Sequence, residues 1–499
     1  MVDATRAPSL VEKSQQTLAG DRTSAETLPT HKVKEQAPLP IPTAATDRGL
    51  DVERFSISES DSFDVRWDGG DSDPLNPRSL SSLRKWLIFA VVSVSALCVT
   101  FTSSVYTSTL GQITQEFGVS NIVGTLGLSL FIIGLAVGPM LLGPLSEFYG
   151  RRPIYLVSLT FFLIWLVPEA VAKNIATMLV GRFLCGVSGS AFLAVAGGTA
   201  GDLFSREQLT APMVVFTATG FVGPSVGPVI GGFINEFASW RWTFYVLIIW
   251  AAVNLLLLVL LVPETYHPVL LRNKARRLRA DTGDSRWIAP IERMSKSIPV
   301  TIATATRRPF ELLIFEPMCL CLCILAALLL GIVYLFFGAF GVVFRGNYGF
   351  NLWQLGLAFL GLFVGMLLGA ACTPIVQWNY TRLVKRKEAE TGEIGGSEPE
   401  FRLPPAVVGS VLVPIGLFMF AWTCFPNVHW IVPIVGSGIF GMGCLLVFTG
   451  IFTFQVEAYP LYAASALAAN TFLRCIFGAA FPLFGIQMYR SATIGPPAS

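Results

Sequence analysis

Three groups of residues in this chain have types and spacings that could do chemistry. Arg182 is a lone cation inside an apolar run, Gly181-Arg182-Phe183-Leu184-Cys185-Gly186. A charge there is costly and faces a cavity or a partner, unless it snorkels to the interface; Arg182 is a turn or two from the start of its run, so both readings stay open. The second group is Gly143-Pro144-Leu145-Ser146-Glu147-Phe148-Tyr149-Gly150-Arg151-Arg152-Pro153, with Asp202 ending a later run in Gly201-Asp202-Leu203-Phe204. Glu147 and Arg151 are four apart and share a face if the segment is helical. Gly143 permits a close helix contact, and Gly150 with Pro153 shapes a short turn. Together these charges read either as a conformational latch or as a surface ion pair contributing about 0–1 kcal/mol. The third group is Thr217–Phe233, with glycines at 220, 223, 227 and 231 and Gly232 beside the last. The four fall within roughly an 80° arc of a helix, next to Pro224 and Pro228. In a soluble helix each Gly would cost about 1 kcal/mol and each interior Pro about 3. In a bilayer the small face lets helices approach and neighbours satisfy the backbone that Pro frees.

Other chemistries lack their residues. The nine cysteines all lie in apolar runs and none in a loop, which argues against a disulfide framework. Cys319, Cys321 and Cys323 step by two, about 200° per step on a helix, and are expected to share no face. His31, His267 and His429 form no ligand pair, so no metal site is expected. No nucleophile with a base, paired midplane acids or His cluster suggests an enzyme.

The elements that must position these residues are membrane spans. The chain has 499 residues, 53% hydrophobic and 13% charged, too little charge for a soluble surface of that size. Eleven apolar runs, each long enough for a hydrocarbon core of about 30 Å, lie at about 86–108, 122–145, 153–171, 176–201, 211–235, 243–262, 314–344, 352–377, 404–425, 431–456 and 462–488. The fold class is therefore an all-α polytopic membrane protein. Its expected parts are a disordered tail (1–84), a first bundle (85–262), a basic linker (263–312), a second bundle (313–489) and a short tail (490–499). No apolar stretch of the signal-peptide kind lies near Met1. Arg151 and Arg152, the run Arg272, Lys274, Arg276, Arg277 and Arg279, and the cluster Arg382, Lys385, Arg386 and Lys387 put these loops and the N-terminus in the cytosol. The basic linker suits anionic lipid or topology rather than nucleic acid. An offset of 231 aligns Gly134 with Gly365, Gly138 with Gly369, Tyr149 with Tyr380 and Arg151 with Arg382, a weak repeat that suggests two similar halves.

These motifs resemble the major facilitator superfamily, and within it the fungal drug:proton antiporters of twelve spans. Gly220-x-x-Gly223-Pro224-x-x-Gly227-Pro228-x-x-Gly231-Gly232 is similar to the family's fifth-helix antiporter motif. The 143–153 loop is similar to its Gly-x-x-x-Asp-x-x-Gly-Arg-Arg motif, with Glu147 in place of Asp, and Arg182 matches its fourth-helix arginine. Trp67 and Asp73-Pro74-Leu75-Asn76-Pro77 resemble its entry segment, where Arg78-Ser79 departs from the usual Asn-Trp. Ala463–Arg474 and Gly478–Gly485 resemble the tenth-to-eleventh helix region of polyamine and multidrug exporters.

The resemblance implies a major facilitator fold of two six-helix bundles with the last helix missing. The twelfth helix packs on the lipid-facing rim, so its loss spares the cavity; a truncated, non-functional paralogue is the alternative. It implies proton-driven efflux of small organic compounds (drugs, polyamines, toxins or secondary metabolites) by alternating access, with uptake symport of a nutrient as the rival. Arg151 is expected to bridge Glu147 and Asp202, and Arg182 to serve proton exchange. The first span holds no acid, Glu147, Asp202 and Glu457 sit near cytosolic ends, and Glu169 sits at an outer end, so no midplane carboxylate stands out as proton carrier. Tyr334, Phe336, Phe337 and Phe340 are expected to line the cavity, or else to face lipid. Asn470 and Arg474, one turn apart, are expected to face it too, or Arg474 to hold a backbone carbonyl. No cofactor beyond the proton gradient is implied. The expected setting is a monomer in the plasma or vacuolar membrane, with a small organic substrate and the bilayer as partners.

Overall fold

Apolar runs broken by Gly, Pro and short polar turns form long helices, because no backbone group can stay unpaired in hydrocarbon. The computed structural model describes residues 63–205, 208–293, 298–392, 397–459 and 462–493. The expectation for residues 1–62, and for most of the short C-terminal tail, lies outside them. Eleven helices among the described residues are long and apolar enough to span a bilayer. The first six are α1 (Ser82–Phe117), α2 (Asn121–Tyr149), α3 (Arg151–Ala170), α4 (Ile175–Leu203), α5 (Ala211–Phe237) and α6 (Arg241–Leu261). Two linker helices follow, α7 (His267–Thr282) and α8 (Ile298–Phe315). The last five spans are α9 (Pro317–Asn347), α10 (Leu352–Thr391), α11 (Pro404–Thr423), α12 (Ile431–Ala458) and α13 (Ala463–Thr493).

Local signals place the ends. Ser120 Oγ accepts the Val123 N–H at 3.4 Å to start α2, and Asn174 Oδ1 accepts the Thr177 N–H at 2.8 Å to start α4. Asn351 and Gln354 close a reciprocal capping box at the start of α10. Gly118, in the left-handed region, ends α1.

The spans sort by burial. Within their most apolar stretches, α1 is 83% and α12 72% buried, against 28% for α6 and 17% for α11. So α1 and α12 are central, and α6 and α11 form the rim that meets lipid. In the first half α1 packs on α5, α2 on α4, and α3 on α4 and α6; in the second, α11 and α10 pack on α12, and α9 on α13. The halves meet where α2 touches α13 and where α5 touches α10. The face with the α2–α3 turn and the linker is called the loop face below. The hydrogen bonds and ring contacts between halves, among the described residues, lie at mid-height or towards the other face. They are Phe221 on Phe448, Ser225 Oγ to Met366, Ser129 Oγ to the Ala479 carbonyl, Ser103 with Tyr334, Phe233 on Trp353 and Glu236 to the Leu352 N–H.

Three expectations are corrected. The segment before α1 is ordered from Phe63: Asp64 pairs as a β-bridge with Ile288, and Lys274 Nζ donates to Asp68 at 2.8 Å and Asp73 at 3.4 Å. It forms a strap over α7, because these charges and Trp67 meet partners there. The eighth span does not end near 377 but runs on as helix to Thr391. The repeat explains why: position 381, the counterpart of Gly150, is Thr, and nothing breaks the helix. Cys319 and Cys323 are four apart, so they do share a face, with their sulfurs 3.9 Å from each other; Cys321 alone points away. Among the described residues no cluster of three metal-binding side chains occurs.

Candidate functional site

At the loop face the α2–α3 turn is made by Gly150, whose φ of +101° is open to glycine and strained for other residues. Gly150 also makes room, since a Cβ there would collide with the Glu264 carboxylate. Glu264 follows α6 in Pro263-Glu264-Thr265-Tyr266. Its Oε1 accepts the N–H groups of Arg151 (2.8 Å), Thr265 (3.0 Å) and Tyr266 (2.9 Å), and its Oε2 that of Arg152 (3.1 Å). A carboxylate on the free N–H groups of α3 is favoured by the helix dipole. It ties the start of α3 to the end of α6.

The Arg151 side chain then reaches across to α4. Its Nε lies 3.1 Å from Asp202 Oδ2, its NH1 donates to Ser146 Oγ at 2.7 Å, and its guanidinium sits 4.4 Å from the centre of the Tyr266 ring. Gly198 provides the space for it. His267 Nε2 is 2.8 Å from the Asp202 carbonyl. The Arg151–Asp202 pair joins as expected. Glu147 makes no ion pair with Arg151 and is exposed, so it is not the bridge's second arm; Glu264 binds the backbone of that residue instead. A Cβ at Gly143 would meet open space, so that glycine makes no close contact. Arg152 donates to the Val259 carbonyl at 3.0 Å.

The second half carries an equivalent that the 231 offset misplaces. Arg402, just before α11, binds Glu457 at the end of α12 at 2.6 Å and lies 3.5 Å from the Tyr380 ring centre. An arginine at the start of a half's third span thus meets an acid at the end of its fourth, in both halves. Arg382, the offset partner of Arg151, lies over Trp378 instead. The signal that could have located the pair was Glu457 itself, the acid closing the tenth span as Asp202 closes the fourth.

Arg182 is fully buried and does not snorkel. Its NH1 and NH2 donate to the Thr102 carbonyl, both at 3.1 Å, with longer bonds of 3.4 Å to the Ser103 and Gly127 carbonyls. The Tyr106 and Phe131 rings flank it at 4.6 and 4.4 Å. Glu169 Oε2 lies 3.7 Å from Arg182 NH1. Glu169 lies in the last turn of α3, at the outer end as expected, but it is wholly enclosed there, and neither of its oxygens has a hydrogen-bond donor. Gly181 makes this possible, because a Cβ there would press within 2.9 Å of Glu169 Cγ. An open hollow of about 330 Å³, lined by Trp165, Pro168, Ala176, Thr177, Val180 and Gly181, lies against the same turn. The first span's Ser103, beside the carbonyls that Arg182 holds, shares a hydrogen bond of 3.0 Å with Tyr334 of the second half.

On α5, Gly223, Gly227 and Gly231 face Thr100, Ser104 and Ser108 of α1, and Gly220 faces open space. Thr100 Oγ1 and Ser104 Oγ donate to the Thr219 and Gly223 carbonyls at 3.0 and 3.3 Å. The helix keeps its course through Pro224 and Pro228. Gly232, outside the arc, meets the other half: a Cβ there would come within 2.7 Å of the Leu352 carbonyl, and Gly356 abuts the Pro228 carbonyl.

The span-seven aromatics divide. Tyr334 reaches the first half through Ser103, and Phe337 stacks on Phe359 at 5.3 Å. Phe336 and Phe340 are core residues of the second half, packed on Phe420, and neither line a cavity nor face lipid, because the α11 and α12 rings cover them. Asn470 is buried and donates to Gln455 at 3.3 Å. Arg474 is half-buried among Phe221, Phe448 and Phe452.

Two helical halves, an ion pair sealed among spans and a charged turn that ties spans at one face describe a membrane transporter. The chain belongs to the Major Facilitator Superfamily, whose model matches residues 92–482. Its relatives include the efflux pump atB of Aspergillus terreus, 56% identical over 85% of this chain and 81% of the relative. The probable drug/proton antiporter YHK8 of Saccharomyces cerevisiae is 42% identical over 89% and 86%, and the multidrug transporter mdrA of Aspergillus fumigatus 39% over 93% and 77%. Among solved structures the xylose transporter XylE of E. coli has the same fold, with a TM-score of 0.54 at 15% identity over 80% of this chain and 92% of that one.

Proposed function

We propose that the chain exports small organic compounds from the cytosol, driven by protons moving the other way, with the loop face in the cytosol. The Glu169–Arg182 pair carries this reading. A carboxylate sealed inside the spans with both oxygens short of donors is poised between an ionised form held by Arg182 and a protonated form. Arg182 keeps its carbonyl bonds and its two rings in either case, so protonation does not strand it. The pair also touches α1, which contacts the second half through Ser103 and Tyr334. A change of charge at Glu169 therefore reaches the interface along which the halves rearrange. The relatives' names, efflux pump and drug/proton antiporter, agree with the direction and the driving ion.

Inside-out vesicles holding the chain test this. With an imposed pH gradient, Glu169→Gln and Arg182→Ala are expected to lose gradient-driven accumulation of a fluorescent dye, while exchange of the dye without a gradient survives in Glu169→Gln. Full gradient-driven accumulation by Glu169→Gln removes the pair from proton coupling.

A further inference from the structure

Unlike Arg182, Arg474 has no counter-charge among the described residues. Arg182 has Glu169 and carbonyls of two helices. Among the described residues Arg474 has a single long hydrogen bond, 3.5 Å to Thr471 Oγ1 one turn away, and its Nε is enclosed with no acceptor. Among the described residues no carboxylate pairs with it, and the titratable groups around it are Tyr334, Cys323 and Cys475. What surrounds the guanidinium is aromatic. Phe452 is 5.3 Å away, and Phe221 and Phe448 are each 5.9 Å away, centre to centre. Phe221 belongs to the first half and stacks on Phe448 of the second at 4.4 Å, so the arginine sits where the halves meet. Part of its surface stays open. One turn earlier Asn470 is tied to Gln455, which in turn donates to Cys323, and Asn470 Oδ1 is left without a donor.

An uncompensated guanidinium in a membrane interior is costly unless something supplies the missing negative charge. Its planar fork suits an oxyanion such as a carboxylate, through two parallel charged hydrogen bonds. The three rings beside it offer flat apolar faces to the body of the same molecule. Asn470 Oδ1, an acceptor with nothing to accept, suits a hydroxyl or amide N–H on that molecule.

We propose that Arg474 is the substrate-binding cation of this transporter and that its substrates are planar organic carboxylates. This rests on the export reading. It opposes the polyamine expectation, since a polycation would be repelled from a site whose one charge is already positive. Stacked rings alone would suit cationic dyes; the arginine among them reverses that preference.

Three probes of one shape separate charge from shape: 1-naphthoate, the neutral 1-naphthamide and 1-naphthylmethylammonium. Accumulation of each is measured in inside-out vesicles, and binding of each to the purified full chain by quenching of tryptophan fluorescence. In the native chain naphthoate is expected to be preferred over the amide about tenfold in both assays, the scale of a hydrogen-bonded charge. Arg474→Gln is expected to bring that ratio near one, and Arg474→Lys, which keeps charge without the fork, to fall between. Retention of the melting temperature in Arg474→Lys separates this loss from unfolding. A native chain that prefers the ammonium probe, or an Arg474→Gln chain that still prefers naphthoate tenfold, overturns the proposal. Arg474-dependent naphthoate binding without transport of any probe leaves the anion site standing and refutes the export reading. Absence of naphthoate binding refutes the anion site.

Discussion

Asp202 and Glu264 act on one arginine in different ways, the first on its side chain and the second on its backbone. Glu264→Gln removes the charge that the α3 N-terminus attracts and is expected to cost about 1–2 kcal/mol of stability. Asp202→Asn leaves a partly buried Arg151 without its partner and is expected to slow transport about tenfold by shifting the balance between conformations. Because both belong to one network, the double variant should lose less than the sum of the single losses by about 1 kcal/mol. A thermal-melt and transport cycle checks this, and strict additivity would show that the two acids work independently. At this scale the sequence was only partly legible. Arg151 and Asp202 are marked by charges at the ends of apolar runs, and Arg182 by a charge within one. Glu264 lies just past a span in a stretch rich in other charges, and only the approach of α6 to α3 reveals what it binds. The sequence places Glu169 near the end of its span, where it lies, but that position says little about enclosure; Gly181 on the neighbouring helix lets the carboxylate turn inward.

Helices were the most legible level, since hydropathy, Gly and Pro act locally. All eleven runs became spans, with the eighth extended. What sequence could not supply was which helix each face meets. The α5 glycine arc is a close contact, but with α1 of the same half rather than across the halves. That sorts the glycines by consequence. Gly227→Leu drives a side chain into Ser104 and the α1 backbone and is expected to cost more than about 3 kcal/mol, beyond ordinary overpacking, with loss of folded protein. Gly220→Leu, whose Cβ meets open space, is expected to fold and export normally. Size-exclusion profiles and dye accumulation of the two variants decide the matter; equal behaviour would mean the arc is not a packing surface. The aromatic run of α9 shows the same limit. A helix bearing Tyr334, Phe336, Phe337 and Phe340 presents rings on several faces, and sequence alone does not tell inner from outer.

Across the whole molecule the strap of residues 63–80 joins the linker helix to the charged turn, through Lys274 and through Trp67, whose ring meets His267 edge-on at 5.8 Å. The Leu75 N–H, that of Asp68 and Lys274 hold the Asp73 carboxyl below its usual 3.8 despite its burial. Burial pulls Lys274 down, but Asp68 and Asp73 together push it above its usual 10.5. A lowered carboxyl contributes above 3.8 and is lost as pH falls through its folded value; a raised amine contributes below 10.5 and is lost as pH rises through its own. Strap docking is therefore expected to be flat between about pH 5 and 9. Lys274→Met should speed amide exchange of residues 73–80 about tenfold throughout that window. Unchanged exchange would put the anchoring elsewhere, on Trp67 or on the Asp64–Arg293 pair. The polar composition of this segment hid its order, because charges that read as solvated in one dimension find partners about 200 residues on. The same distance between sequence and space governs the two turns at this face. Gly150 makes a sharp corner in one half, while Thr381 lets α10 continue unbroken to Gly392 in the other. The loop face is thus built on a sharp glycine elbow on one side and a stiff rod on the other, about 28 Å long from Thr373 to Thr391. A chimera made by duplicating either half would have two elbows or two rods, and with them a different gait.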